Sequence, residues 1–238
     1  MPLQKTIPID SNGMVYLWEV TESEPALQTG ISLAVYSKDR LAHMKSELHR
    51  RAYLSIRHLL KIAGYQDSDL SYDLHGKPHL KDGSFVSISH SFTQTALVVH
   101  KNIPVGIDVE MKREKILRIA HKFTTFVREP NTDIIAEIPR LTHIWAAKET
   151  MYKIAGTPGL SFFKDMRVFW SLNHWLIGLI QTAEQEIFYE MHPFEIGDFG
   201  GVWGLEIQKA SAREGQLKEA FLEAKKNGRV YLQISSAK

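Results

Sequence analysis

An α+β fold in two halves is expected, on three observations. Strand-like stretches with alternating apolar residues gather in each half, one long helical pattern accompanies each group, and strands and helices do not alternate strictly. The break falls near Ile103-Pro104, giving an N-terminal half, 1–104, and a C-terminal half, 105–238, the latter with a C-terminal extension. No low-complexity linker or short-period repeat interrupts the chain.

In chain order, Val15 to Val20 reads as a short strand and Ile31 to Tyr36 as a second. Leu41, Met44, Leu48, Ala52, Ile56, Leu59 and Ala63 recur at helical spacing, and Gly64 supplies the stop. Phe85 to Ile88 and Thr95 to His100 pair as strands, and a turn at Lys101-Asn102 leads into a strand from Val105 to Glu110. A helix runs from Ile116 through Val127 and breaks near Pro130. The next begins near Pro139, a residue suited to a first helical turn, and stops at Gly156. Phe162 to Trp170, Trp175 to Gln181, Glu186 to Met191 and Val202 to Gln208 read as strands. A helix from Ala212 to Lys226 and a strand from Arg229 to Ile234 follow.

Composition narrows the class. The 238 residues are 44% hydrophobic and 24% charged, enough for a core without staples. The absence of cysteine excludes disulfides, thiolate zinc sites and a cysteine nucleophile, and fits a reducing cytoplasm. Met1 to Val20 mixes Lys5, Asp10, Asn12 and Gly13 among its apolar residues, so no signal peptide is read there. The longest apolar stretch, Trp175 to Ile180, is far short of a membrane span. A soluble, cytoplasmic protein without membrane or nucleic-acid partners is expected. The net charge is only +2, but Lys38, Arg40, Lys45, Arg50, Arg51, Arg57 and Lys61 form a basic run opposed by Asp39 and Glu47. Such a run can attract phosphates or an acidic partner. Alone, it is more simply a solvated helix face.

Three stretches carry chemistry. In Val105-Gly106-Ile107-Asp108-Val109-Glu110, strand alternation puts Asp108 and Glu110 on one face, with Cα atoms about 6–7 Å apart. Two carboxylates so placed suit a hard cation such as magnesium, although the pattern alone is an ordinary strand with acids on its wet side. Trp145-Ala146-Ala147-Lys148-Glu149-Thr150-Met151-Tyr152-Lys153 favours helix, with Trp145, Glu149 and Lys153 along one stripe. On its own, Glu149 with Lys153 is a modest surface pair. Ser87-Ile88-Ser89-His90-Ser91 gathers small hydroxyls around a histidine, a turn able to meet an anion or simply to satisfy its own backbone. His75 and His79 have a spacing seen in metal sites. Gly76 and Pro78 bar a helix between them and no soft ligand is near, which argues against zinc.

The order and separation of these stretches, together with Gly76-Lys77-Pro78, resemble the Sfp-like 4′-phosphopantetheinyl transferases. The resemblance runs from about Arg50 to Ser161 and includes Gly159-Leu160-Ser161 and, with looser spacing, Phe123 to Glu129. It implies two similar α/β subdomains packed as a pseudo-dimer, with coenzyme A in the cleft between them. Asp108, Glu110 and Glu149 would hold magnesium together with the pyrophosphate of coenzyme A. His90 and Lys153 would contact phosphates, Lys77, Pro78 and Ser89 would line the nucleotide site, and Arg50 and Arg51 would approach the 3′-phosphate. Glu149, Lys153 and His90 are the expected catalytic residues. The reaction implied is transfer of 4′-phosphopantetheine to a serine of an apo acyl or peptidyl carrier protein, with release of 3′,5′-ADP, by an enzyme expected to be a monomer.

The chain departs from the family at Ser87, where members often have asparagine, and its region after Ser161 is long. Two other readings use the same residues. A non-catalytic coenzyme A or nucleotide-binding module would not need Asp108, Glu110, Glu149 and Lys153 together. A magnesium-dependent phosphodiesterase or nuclease is disfavoured by the lack of an overall basic excess.

Overall fold

Leu3–Asp10 form β1 and Gly13–Glu19 form β2, an antiparallel hairpin turning at Ser11-Asn12. The Asn12 N–H donates to Asp10 Oδ1 across the turn (2.7 Å). The structure, a computed structural model, describes residues 3–125, 133–170 and 176–226. The chain divides into two compact units, Met1–Val109 and Glu110–Lys238.

In the first unit the hairpin is followed by α1 (Glu24–Gln28), α2 (Val35–His43), α3 (Glu47–Ile62), the short pair β3 (Leu70–Tyr72) and β4 (Pro78–Leu80), then β5 (Phe85–Ser91) and β6 (Gln94–His100). The main sheet is antiparallel in the order β1–β2–β6–β5. The apolar face of α3 covers it, joining Leu54, Leu59 and Leu60 to Trp18, Val86 and Leu97 in one core.

Two expectations fail in this unit. Ile31 to Tyr36 is not a strand: α2 begins at Val35. The cause lies far along the chain, where Asp67 accepts from the Ala34 N–H (2.8 Å) and the Ser37 hydroxyl (2.9 Å). The long helix predicted from Leu41 to Ala63 is broken into α2 and α3. Ser46 leaves helical geometry there and accepts from the His49 N–H at the start of α3, a capping bond that offsets the interruption. Gly64 does follow the end of α3, at φ +91°.

His100 prepares the exit from this sheet. Its Nδ1 accepts from the Asn102 and Ile103 N–H groups (3.1 and 3.0 Å), which leaves Nε2 to donate to Asp10 Oδ2 (3.2 Å). The turn so held leads into β7 (Val105–Met111).

The second unit contains the end of β7, α4 (Lys115–Ile119), α5 (Glu137–Ala155), β8 (Met166–Trp170), β9 (Leu176–Gln181), β10 (Glu186–Ile196), β11 (Phe199–Glu206) and α6 (Ala212–Lys226). Its sheet has the order β7–β11–β10–β9–β8. The helix expected from Ile116 through Val127 stops as α4 at Ile119 and tightens into a 3-10 turn, Ala120–Lys122; Val127 lies outside the described residues. The strand expected from Phe162 starts only at Met166, because Asp165 and Ser161 close a turn through the Ser161 and Lys164 N–H groups (2.7 and 3.1 Å). The strand expected to end at Met191 continues to Ile196. Trp175 and the expected strand from Arg229 to Ile234 lie outside the described residues.

This sheet is covered on both faces. Leu176 and Ile180 pack with Ala147, Met151 and Ile154 of α5, whereas Ile177 and Leu179 pack with Phe169, Phe188 and Leu217 of α6. Gly204 of β11 leaves room for its neighbours: a Cβ there would stand 2.7 Å from Met191 Cγ and 3.1 Å from the Glu190 carbonyl oxygen of β10, and 3.4 Å from Thr150 Cγ2 of α5. The sequence offers no role for 212–238; its described part, α6, covers the second face of the sheet, and 227–238 lie outside the described residues. No helix among the described residues is long and apolar enough to cross a membrane.

An ion pair fastens α6. Arg213 Nε donates to Glu190 Oε2 (2.8 Å) and His192 Nε2 stands 3.2 Å from Oε1. Burial works against the charged carboxylate, but hydrogen bonds from His192 and Arg213 outweigh it and hold Glu190 down to about 2. A carboxyl group depressed on folding stabilises above its ordinary range and loses that contribution as pH falls toward the folded value. Glu190→Gln should therefore cost about 1 kcal/mol at pH 7, a figure reduced by the exposure of Arg213. Urea unfolding should show the gap to wild type closing between pH 4.5 and 2; a gap unchanged at pH 2 would refute the assignment.

Candidate active site

Strand β7, at the edge of its sheet, carries Asp108 and Glu110. Asp108 is buried, 4% exposed, and its Oδ1 accepts from the Ser89 hydroxyl at 2.8 Å. The same Ser89 oxygen accepts from the Val109 N–H (3.2 Å), so the hydroxyl of β5 fixes both the backbone and the side chain of β7. Ser87 accepts from the Ile107 N–H (3.2 Å). The serine at the position where the family often has asparagine thus serves as a backbone clamp. Ser89, expected to line the nucleotide site, is buried and orients Asp108.

Glu110, two residues along β7, is half-buried, and its Oε1 accepts from the Trp145 indole N–H at 3.4 Å. Trp145 lies one turn before Glu149 on α5, with Lys153 one turn beyond it in the last turn of the helix. Glu149 and Lys153 are both half-buried. Gly156, left-handed at φ 62°, caps the helix by donating its N–H to the Tyr152 carbonyl. A cleft of about 190 Å³ adjoins Glu110 and Trp145, walled by Ile116 and Ile119 with Arg113 and Lys115.

Lys148 is the residue whose role sequence reasoning missed. Its side chain turns inward, 4% exposed, and Nζ donates to three carbonyl oxygens: Phe123, Phe162 (2.6 Å) and Met166 (2.8 Å). An ammonium has three N–H donors, one for each acceptor. Burial pushes Lys148 down to about 7, and the Arg167 charge acts in the same direction. No sequence signal marks such a contact, because any residue offers a carbonyl.

His90 is exposed and meets His49 edge-on, with ring centroids 5.8 Å apart. With Gly76, Pro78, Tyr53 and Tyr72 it lines a cleft of about 360 Å³ in the first unit. Lys77 is half-buried beside Pro78; Asp73 accepts its N–H (2.9 Å) as well as that of His75 (2.8 Å), forming the turn at Gly76. His79 pairs with Asp73 at 3.2 Å.

The basic run divides. Arg57 is buried against Asp67 and is no part of a surface. Arg50 donates to Glu24 (2.8 Å) and to the Met44 and Lys45 carbonyls (2.9 and 3.1 Å), and Arg51 to the Glu22 and Val20 carbonyls (2.6 and 3.1 Å). Arg40, exposed, stands over the Tyr72 ring (5.2 Å) at the cleft that His90 lines.

The side chains expected to bind an ion are carboxylates, which offer only hard oxygen donors, the chemistry that suits a magnesium-like ion. Among the described residues no group of three or more His, Cys, Asp or Glu side chains is placed so that it could hold a metal ion, so Asp108, Glu110 and Glu149 are not gathered into such a group.

No curated protein matches the sequence. Residues 104–195, a segment containing Asp108, Glu110, Lys148, Glu149 and Lys153, match the model of the 4′-phosphopantetheinyl transferase superfamily, so over that segment the resemblance read from the motifs is shown.

Proposed function

We propose that the protein transfers 4′-phosphopantetheine from coenzyme A to a serine of an apo acyl or peptidyl carrier protein, with magnesium, releasing 3′,5′-ADP. The observation that carries this reading is the superfamily match over 104–195, which spans all three carboxylates and Lys153. Asp108, Glu110 and Glu149 would hold the ion, which supplies neutralisation of charge on the pyrophosphate.

The remaining work falls to side chains. Glu149 accepts the serine proton, directly or through water, as the serine oxygen forms its bond to the β-phosphorus. The bond from that phosphorus to the bridging oxygen breaks, and Lys153 and His90 meet the charge on the phosphates. Pro78 and His90, on one cleft, support a nucleotide site there, with Arg40 a further cation at its rim. Lys77 adjoins Pro78 in sequence, Ser89 acts only by orienting Asp108, and Arg50 and Arg51 would have to exchange their present carbonyl partners to reach a 3′-phosphate. Each unit taken alone lays a long helix, α3 or α5, on one face of its sheet, which supports the reading of two similar halves, although α6 covers the other face in the second unit only.

Incubation with coenzyme A, magnesium and a panel of apo-carrier proteins tests the proposal. At least one carrier should gain the mass of one phosphopantetheine. Binding of coenzyme A without mass gain on any carrier would favour the non-catalytic module instead. Within the same assay, Lys153→Ala should lower kcat by about 10²-fold with little change in KM, if its contact forms mainly in the transition state. A change in KM alone would make Lys153 a ground-state anchor.

A further inference from the structure

Lys148 stands between Trp145 and Glu149 in sequence, and its three acceptors come from two separate stretches, one at Phe123 and the other running from Phe162 to Met166. Two of them, Phe123 and Phe162, have a second relation to the same helix. Their rings are the ones that clamp Trp145, with centroids 5.2 and 5.4 Å from the indole. The indole so held donates its one N–H to Glu110 Oε1. One ammonium therefore fixes the backbones of both residues that fix the indole, and the indole meets the carboxylate.

We infer that Lys148 is a positioning residue that sets the orientation of Glu110 through the Phe123–Trp145–Phe162 clamp. The inference rests on the proposed role of Glu110 as an ion ligand. A buried ammonium satisfied by three neutral carbonyls binds no substrate; its energetic effect is to hold segments in register. A Trp side chain has two rotatable bonds and one donor, so walls on both sides are needed to keep that donor aimed. Removing Lys148 should leave Trp145 in the core and loosen its aim. A lysine that merely stabilised the fold would lower stability without acting selectively on the indole or the ion.

The test uses the full chain labelled with ¹⁵N at the indole nitrogens. Five tryptophans give five indole signals, and the one lost in Trp145→Phe belongs to Trp145. In Lys148→Met the Trp145 signal should move or broaden while that of Trp18 stays in place. Binding of Mn²⁺, read from the free-ion resonance, should weaken about 10-fold or more in Lys148→Met and in Trp145→Phe. The double variant should lose no more than either single one, since both act on one path. An unmoved Trp145 signal in folded Lys148→Met, a moved signal with unchanged Mn²⁺ affinity, or additive losses would each overturn the inference. Should Lys148→Met not fold, Phe162→Leu removes one wall of the clamp and gives the same two readouts. If wild type itself takes up no Mn²⁺, the ion reading under Proposed function falls. The linkage is then decided by whether Glu110→Gln and Lys148→Met move the same indole signal: a common shift supports it, separate responses refute it.

Discussion

Asp108→Asn and Glu149→Ala should each lower phosphopantetheine transfer by at least about 10²-fold, with the fold retained. Asparagine keeps the shape of Asp108 and an oxygen to accept from Ser89, so the substitution removes charge without opening a cavity. Glu149 is half-buried on the surface of α5, where truncation leaves the apolar contacts of Ala147, Met151 and Ile154 untouched. Chelation should abolish transfer in wild type, and added magnesium should restore it. Rates are measured at saturating magnesium and coenzyme A, with circular dichroism on the same samples. Near-normal rates in either variant would refute the three-carboxylate assignment.

The second large effect concerns stability. Asp67→Ala should destabilise the protein by about 3–5 kcal/mol, the cost of leaving a buried charge without its partner. Arg57 Nε donates to Asp67 Oδ1 at 2.9 Å, with both side chains almost fully buried, and the guanidinium lies 3.4 Å from the Tyr53 ring centroid. Asp67 also holds the start of α2, so its loss should fray that helix as well. Total stabilities are about 5–15 kcal/mol, so urea unfolding will resolve the change. Replacing both partners, as Arg57→Met with Asp67→Leu, should recover much of the loss because no lone charge remains buried. A loss under 1 kcal/mol for Asp67→Ala would show that the pair is not the anchor of this corner.

Those same residues explain what could be read from sequence. Elements whose stability is local were legible: α6 spans Ala212–Lys226 as expected, and α5 ends at Gly156 where the left-handed cap stands. The pairing of β5 with β6 follows from period-two patterning, whereas β7 forms as expected but is buried from Val105 through Val109, so the wet face expected at Asp108 is absent. Elements decided at a distance were not. The periodicity from Leu41 to Ala63 is continuous, and a single Ser46 cap interrupts it. Ile31 to Tyr36 has a strand's composition, but Asp67 captures the Ala34 N–H and starts a helix. β1 was missed because it is an edge strand with half-buried Leu3, Ile7 and Ile9 amid exposed residues, too thin a pattern to announce itself. At the candidate site, motif order put the carboxylates forward as candidates. It said nothing of Ser89 orienting Asp108 or of Lys148 turning inward, since both depend on partners set by tertiary packing.

The three carbonyls around Lys148 also bear on how this region can vary. A tether ending on backbone oxygen is indifferent to the side chain that carries it, so Met166 can change identity without any change in what Lys148 meets. Pairwise substitution patterns will therefore show a lysine with no correlated partner. Tolerance should instead be read in chain length: a one-residue deletion between Phe162 and Met166 would withdraw an acceptor that no point substitution there can remove.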